Sequence, residues 1–387
     1  MTQAAVLGDI VGSTFEREPS WTPYFELLRK NAHYTDDSVA TRAVALILSQ
    51  ISTAATVNEA SQTQDGLSLA DRVTLAVRDP GWSAHAALLL KAHCLPFLNR
   101  GFGGIFYQWL TAATLAPYGS NGNGALMRIS PVAAWAVKHG LGVEVATEVA
   151  RKITDLTHNH PHAQEAVDIY VRLLHGLFEQ REKVLARASA SDYAPSPTPE
   201  DEKALEAWLS NAIRAALELG LEDRLGTTLR SVQEYRVMFH HQFDVSARTS
   251  LLVVLSTIMD HIHEAEMSEE ARDPIMGLFR NQDHGYGAFE QLLRRVITAG
   301  GDSDTLAAII GPFAQGLYGL DPMLLQQPML WDTARFEDDA EEQHRTPEAF
   351  YFSGPLAAGI LTPIRDCEPA SLQVANRETI LAPQDLN

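Results

Sequence analysis

Residues 38–48 read SVATRAVALIL, and this stretch decides the fold class. Val39, Ala43, Leu46 and Ile47 recur at three- and four-residue spacing on one side of a helix, and Ser38 is of a residue type that caps a helix start. The same period recurs outward along the chain, at 84–98, 125–138, 143–154, 162–178, 200–219, 245–262, 288–299 and 305–318, while two-residue alternation is scarce. An all-α fold is predicted. Clusters of Gly, Asn and Asp at 101–104, 119–124 and 300–303 mark tight loops between these helices.

Residues 191–199 (SDYAPSPTP) form a Pro/Ser connector, and 264–287 is polar with isolated apolar residues, which reads as an insertion between helices. Beyond Asp321, six prolines from Pro322 to Pro369 break any long helix, and the acidic run 337–342 reads as solvent-facing. The expected organisation is one helical body over 1–320, including the insertion at 264–287, with an irregular C-terminal extension, 321–387, packed on it.

The formal charge of −19, from 49 acidic and 30 basic residues, repels a nucleic-acid backbone, and no Lys/Arg run offsets it. Nucleic acid is therefore expected only as a modified acceptor. Cys94 and Cys367 lie too far apart for a metal-ligand spacing or a disulfide scaffold and suit a reducing interior. The first residues carry no basic leader before Asp9, and the apolar runs are far shorter than a membrane span. A cytoplasmic monomer without membrane contact is expected.

Upstream of the opening helix stands Tyr34-Thr35-Asp36-Asp37-Ser38. Adjacent carboxylates repel each other unless solvent or a divalent cation relieves them; equally, Thr, Asp and Ser are ordinary capping residues. Gly300-Gly301-Asp302-Ser303-Asp304-Thr305 again sets two carboxylates and a hydroxyl at a helix start, after glycines that permit close approach. Two such clusters with only oxygen donors point to a pair of Mg2+ or Mn2+ ions rather than Zn2+. In Gly8-Asp9-Ile10-Val11-Gly12, the four-residue glycine interval suits the close approach of two helices or of a ligand, and Asp9 reads as a satisfied buried acid.

Gly101-Phe102-Gly103-Gly104 and the run from Gly119 to Arg128 place backbone amides near helix starts, where phosphates are readily cradled. Neither has the strand context or Walker lysine of a nucleotide fingerprint, and plain glycine turns fit equally. In Thr157-His158-Asn159-His160-Pro161-His162, His158 is read as lining a ligand, with His160 and His162 as surface or capping residues. The pair His240 and His241, beside Phe239 and Phe243, is read as structural.

Taken together, GDIVGSTFE (8–16), YTDDS (34–38), GNGALMRISPVA (122–133), THNHP (157–161) and GGDSDTLAAIIG (300–311) resemble, in order, the ADP-ribosylglycohydrolase family. That family includes the enzyme that reactivates dinitrogenase reductase and the mammalian ADP-ribosylserine and ADP-ribosylarginine hydrolases. The resemblance covers roughly residues 3 to 320 and implies an orthogonal all-α bundle around a binuclear Mg2+ or Mn2+ cleft. It implies cleavage of the bond between C1″ of ADP-ribose and an acceptor, on a modified protein or on O-acetyl-ADP-ribose. By similarity Thr35, Asp36, Asp37, Asp302, Asp304 and Thr305 are the metal ligands. Glu16, Asp36 and Asp37 are the candidates for the carboxylate that moves a proton or steadies an oxocarbenium-like state, with Glu16 preferred. Gly101, Gly103, Gly104, Gly122, Asn123, Gly124, Ala125, Met127, His158 and Ser303 are implied to surround the ADP-ribose.

Thr249-Ser250-Leu251-Leu252 replaces the Ser-Val-Pro run that many members carry, and the 264–287 insertion and the extension have no counterpart in compact members. These departures leave open which acceptor is cleaved. They also leave a second class of function, an ADP-ribose or nucleotide-binding regulatory module without turnover.

Overall fold

The structure is a computed structural model that describes residues 2–60, 67–188, 197–264, 286–320 and 324. Among them are fourteen α-helices and no strand: α1 (Thr2–Gly12), α2 (Asp36–Ala60), α3 (Leu69–Arg78), α4 (Pro80–Cys94), α5 (Gly104–Thr111), α6 (Ser130–Lys138), α7 (Val143–Thr154), α8 (Pro161–Ala188), α9 (Pro199–Glu218), α10 (Leu221–Leu225), α11 (Val232–His241), α12 (Ala247–His263), α13 (Ala288–Thr298) and α14 (Ser303–Tyr318). Gly122 and Ser246 add one isolated antiparallel bridge. The all-α expectation holds. Most of the insertion at 264–287, part of the connector and, apart from Leu324, the extension beyond 320 lie outside the described residues.

The axis of the fold is α14. Every residue from Ser303 to Leu317 is buried, as befits a helix that is apolar all round and enclosed by neighbours. It packs on α1, α2, α8, α9, α12 and α13. Its last carbonyls, which have no partner within the helix, are met from α8: Arg181 Nη1 donates to Gly316 O at 3.1 Å and Leu317 O at 3.3 Å.

The tightest of these contacts is with α1, and small residues create it. A Cβ on Gly8 would overlap the carbonyl of Ala307, one on Gly12 the backbone at Ser303 and Asp304, and one on Gly311 the carbonyl of Ala4. Ser303 Oγ closes the seam by donating to Gly12 O at 3.0 Å. Because the obstruction is backbone, it has nowhere to move. Gly8→Val is expected to cost about 3 kcal/mol or more of stability, read as a lowered denaturant midpoint; an unchanged midpoint would contradict this packing.

Several helix boundaries depart from the sequence reading, for local reasons. The helix of 38–48 starts two residues earlier, at Asp36, and Ser38 does not cap it; Thr35 does, its Oγ1 accepting from Asp37 N at 3.3 Å. The segment expected as one helix from 125 to 138 is a 3-10 turn, Asn123–Ala125, followed by α6, which begins where Pro131 supplies a first-turn proline. The helix expected over 84–98 ends at Cys94 in a 3-10 turn containing Pro96. No helix among the described residues is long and apolar enough to cross a membrane.

Candidate functional site

Packing α1 against both α2 and α14 brings the two acidic turns together. Thr305 Oγ1 donates to Asp37 Oδ2 at 3.2 Å, joining segments 268 residues apart. One carboxylate oxygen each from Asp9, Asp37 and Asp304 lies within 4.8 Å of the others, and all three side chains are buried. Asp36 and Asp302 are partly exposed, and Glu16, just beyond α1, is exposed. The acids thus run from a buried floor to an open mouth.

Asp9 holds the first turn in place. Its Oδ1 accepts from Thr35 Oγ1 at 2.7 Å, and its Oδ2 accepts from Thr35 N at 2.9 Å, from Ser38 N at 3.0 Å and from the Ser38 hydroxyl. The single Thr35 hydroxyl proton goes to Asp9, so its oxygen is free to accept from Asp37 N. The expectation of a hydrogen-bonded buried acid is what these contacts describe, but Asp9 also belongs to the acid floor, which the sequence reading did not include. A buried acid one turn before a packing glycine was the available signal.

The second turn is fixed differently. Thr305 N donates to Asp304 Oδ1 at 3.0 Å, and Asn123 Nδ2 donates to Asp302 Oδ2 at 2.7 Å. Asn123, expected beside the nucleotide, therefore spends its amide on the acid turn, and Ser303 spends its hydroxyl on Gly12. Losing the Asn123 bond frees Asp302 to rotate. Asn123→Ala is expected to weaken divalent-cation binding about 10- to 100-fold, as loss of a ligand-orienting group does, with titration calorimetry as the readout; unchanged affinity would remove Asn123 from this role.

Crowded acids without a cation resist ionisation. Burial, then the charges of Asp36, Asp9 and Asp302, hold the Asp37 carboxyl well above its ordinary range, against the Thr305 hydroxyl. Burial, then Asp302, Asp37 and Asp9, do the same at Asp304; burial, then Asp9, Asp302 and Glu16, do so at Asp36. Asp9 is raised by burial against its hydrogen bonds from Ser38 and Thr35. Glu16, though exposed at its edge of the cleft, is raised by desolvation from its neighbours and by the charge of Asp302, opposed by Arg17 and His33. In addition, Asp37 Oδ1 is buried with no hydrogen-bond partner. Like charges and an orphaned oxygen are relieved together by a divalent cation, so the residues present fit one.

Two loops rim this centre. Asp36 N donates to Arg100 O at 2.9 Å, and a Cβ on Gly101 would come within 3.1 Å of Asp36 Oδ1, so the 101–104 loop lies over Asp36, with open space around Gly103 and Gly104. On the 119–128 loop, several amides are already used: Gly119 N donates to Asn159 Oδ1, Gly122 N to Ser120 Oγ and Asn123 N to Val245 O, at 2.7, 3.1 and 2.7 Å. Ala125 and Met127 are buried, the latter accepting from Thr41 Oγ1 through its carbonyl at 3.1 Å. His158 lies against Gly124, where a Cβ would come within 2.9 Å of its Nε2. His160 does act at the start of α8, its Nδ1 accepting from His162 N at 3.1 Å, and His240 stacks on Trp21 at 3.8 Å.

The sequence model of the ADP-ribosylglycohydrolase family matches residues 3–325. The chain belongs to that family. A solved structure described as an ADP-ribosylglycohydrolase-related protein complex is similar at 19% identity and a TM-score of 0.42, covering 85% of this chain and 89% of that one. No curated protein matches the chain. Membership as an ADP-ribosylglycohydrolase accords with the all-α fold and gives the acid floor its setting: a hydrolase family, typically metal-dependent, that acts on ADP-ribosylated substrates.

Proposed function

We propose that this ADP-ribosylglycohydrolase hydrolyses the bond between C1″ of ADP-ribose and an acceptor, on a modified protein side chain or as O-acetyl-ADP-ribose, with two Mg2+ or Mn2+ ions. The observation that supports this most is the convergence of the 35–37 and 302–305 turns on one buried acid floor. Thr35, Asp36, Asp37, Asp302, Asp304 and Thr305 would hold the ions. Bound there, the cations supply Lewis acidity at the distal ribose and cancel the repulsion among the carboxylates.

The chain's own groups do the rest. Hydrolysis forms a bond from water oxygen to C1″, breaks the bond from C1″ to the acceptor and returns a proton to the acceptor. Glu16 stands at the open mouth with its carboxyl raised by desolvation and the charge of Asp302, the direction that favours a group passing on a proton. The Gly101–Gly104 and Gly122–Met127 segments with His158 would flank the nucleotide portion and fix C1″ over the acids.

The purified chain, supplied with Mg2+ or Mn2+, is expected to release free ADP-ribose from at least one of arginine-linked, serine-linked, nucleic-acid-linked or O-acetyl substrates, and to stop doing so in EDTA. Binding of metal and ADP-ribose without turnover on any of these would replace the hydrolase reading with that of a binding module.

A further inference from the structure

The Glu16 carboxylate accepts no hydrogen bond from any described residue, and the chain from Glu16 to Pro19 is exposed. Its place is therefore set by the backbone on which it stands, the strap of residues 13–35 between α1 and α2. Phe15, next to Glu16 and 1% exposed, is clamped on two sides. The Phe25 ring lies 4.5 Å from it, and the Arg29 guanidinium lies 4.1 Å over its centroid. Arg29 Nη1 also donates to Thr14 O at 3.5 Å and pairs with Glu18 at 3.5 Å. Farther along the strap, Trp21 stacks on His240 and rests on Gly300, where a Cβ would come within 2.7 Å of the indole. Gly300 leads into Asp302, so the strap that bears Glu16 abuts the second acid turn.

What ties this strap to the body of the protein is Arg294 of α13, 3% exposed and 269 residues from Phe25 in sequence. Its Nη1 donates to Pro23 O at 2.8 Å and to Phe25 O at 2.7 Å. Glu290 Oε1 holds the guanidinium from behind, 2.7 Å from Nε and 2.6 Å from Nη2, and the group lies over the rings of Phe25 and Tyr286, at 4.8 and 4.0 Å. An arginine that served only to keep α13 wetted would be exposed. This one is buried and spends its rigid fork on two carbonyls of one loop, which fixes that loop's backbone. A group that carries a proton has to be held within about 0.5 Å of its productive position. We infer that Arg294 is a positioning residue for Glu16, holding the strap against the acid turn through Phe25 and Phe15 before substrate arrives. The inference rests on the proton-carrying role proposed for Glu16. It makes that side of the cleft a fixed wall, set by an arginine whose own partners include no residue of the acid floor.

Arg294→Lys keeps the charge but cannot span both carbonyls and Glu290. In the full chain it is expected to lower turnover about 100-fold, the cost of a misplacement near 1 Å, with Mn2+ and ADP-ribose affinities unchanged. In a Glu16→Gln background the same substitution should change turnover by less than about twofold, because a residue that acts through Glu16 then has nothing left to place. Hydrogen exchange, measured without metal or substrate, should quicken over residues 14–25 and stay as it was in α14. Phe25→Leu removes the ring between Arg294 and Phe15; it should reproduce both effects, and it stands in if Arg294→Lys does not fold. Wild-type turnover in the variant, the full loss repeated in the Glu16→Gln background, or unaltered exchange over 14–25 would each overturn the inference. A wild-type chain that releases ADP-ribose from no substrate fails the functional reading and the role of Glu16 with it, whereas wild-type turnover that survives Arg294→Lys fails this inference alone.

Discussion

Asp37→Asn is expected to abolish release of ADP-ribose, lowering turnover by about 10³-fold or more, since a lost metal ligand removes several kcal/mol of charge stabilisation and each 1.4 kcal/mol is tenfold. Asp37 is the acid at which the two turns meet: Oδ2 receives the Thr305 hydroxyl, and Oδ1 is the orphaned oxygen of the floor. An amide is nearly the same shape, but its NH2 cannot ligate a cation and would instead donate to the neighbouring Asp9 or Asp304. Calorimetry with Mn2+ should show the affinity falling alongside the rate. Asp302→Asn should impair both as well, though less severely, because Asp302 is partly exposed and water can replace its oxygen. Wild-type metal affinity and rate in either variant would contradict the assignment of these turns.

The same floor dictates how stability responds to pH and to metal. The carboxyls of Asp36, Asp37 and Asp304 are held well above the ordinary aspartate value in the folded chain, by burial first and then by the charge of neighbouring acids. The folded state therefore binds more protons than the unfolded one between that value and the raised ones, and stability falls as pH rises through the window. In EDTA the melting temperature is expected to drop from mildly acidic toward neutral pH, and the drop should be smaller in Asp37→Asn, which carries one titrating acid fewer. Adding Mg2+ or Mn2+ reverses the trend, contributing about 2.7 kcal/mol per site at a hundredfold excess over Kd, with the gain growing as pH rises and protons cease to compete. A metal-free chain whose melting curve is flat across this range, and identical in the variant, would mean that the acids are solvated rather than crowded.

The helical class was readable because α2, α7, α12 and α13 show their period plainly; Val143–Thr154 was bounded to the residue, with amphipathic spacing between Gly142 and the 155–160 loop. The first helix was not read as one, since Ala4, Ala5, Val6, Leu7, Ile10 and Val11 are all buried and a helix covered on every side shows no stripe. α3 and α11 are short and polar; their signals were the capping boxes Ser68 with Asp71 and Ser231 with Glu234. At the site, the acid pairs could be picked out because paired carboxylates at helix starts are chemically conspicuous. The links from Asn123 to Asp302 and from Arg294 to the carbonyls of Pro23 and Phe25 could not, because each joins residues whose types are common and whose proximity only tertiary packing creates.

The contact between α1 and α14 has a consequence for how the molecule is made. Its first helix and the helix that closes the acid floor are separated by about 300 residues of chain, a delay of roughly 15–60 s at ordinary rates of synthesis. Throughout that interval the glycine face of α1 has no mate, and the nascent chain cannot complete a cation site. Synthesis must pass α14 before the two acidic turns can meet, so products arrested before that helix are expected to lack the acid floor and to be prone to stick to one another.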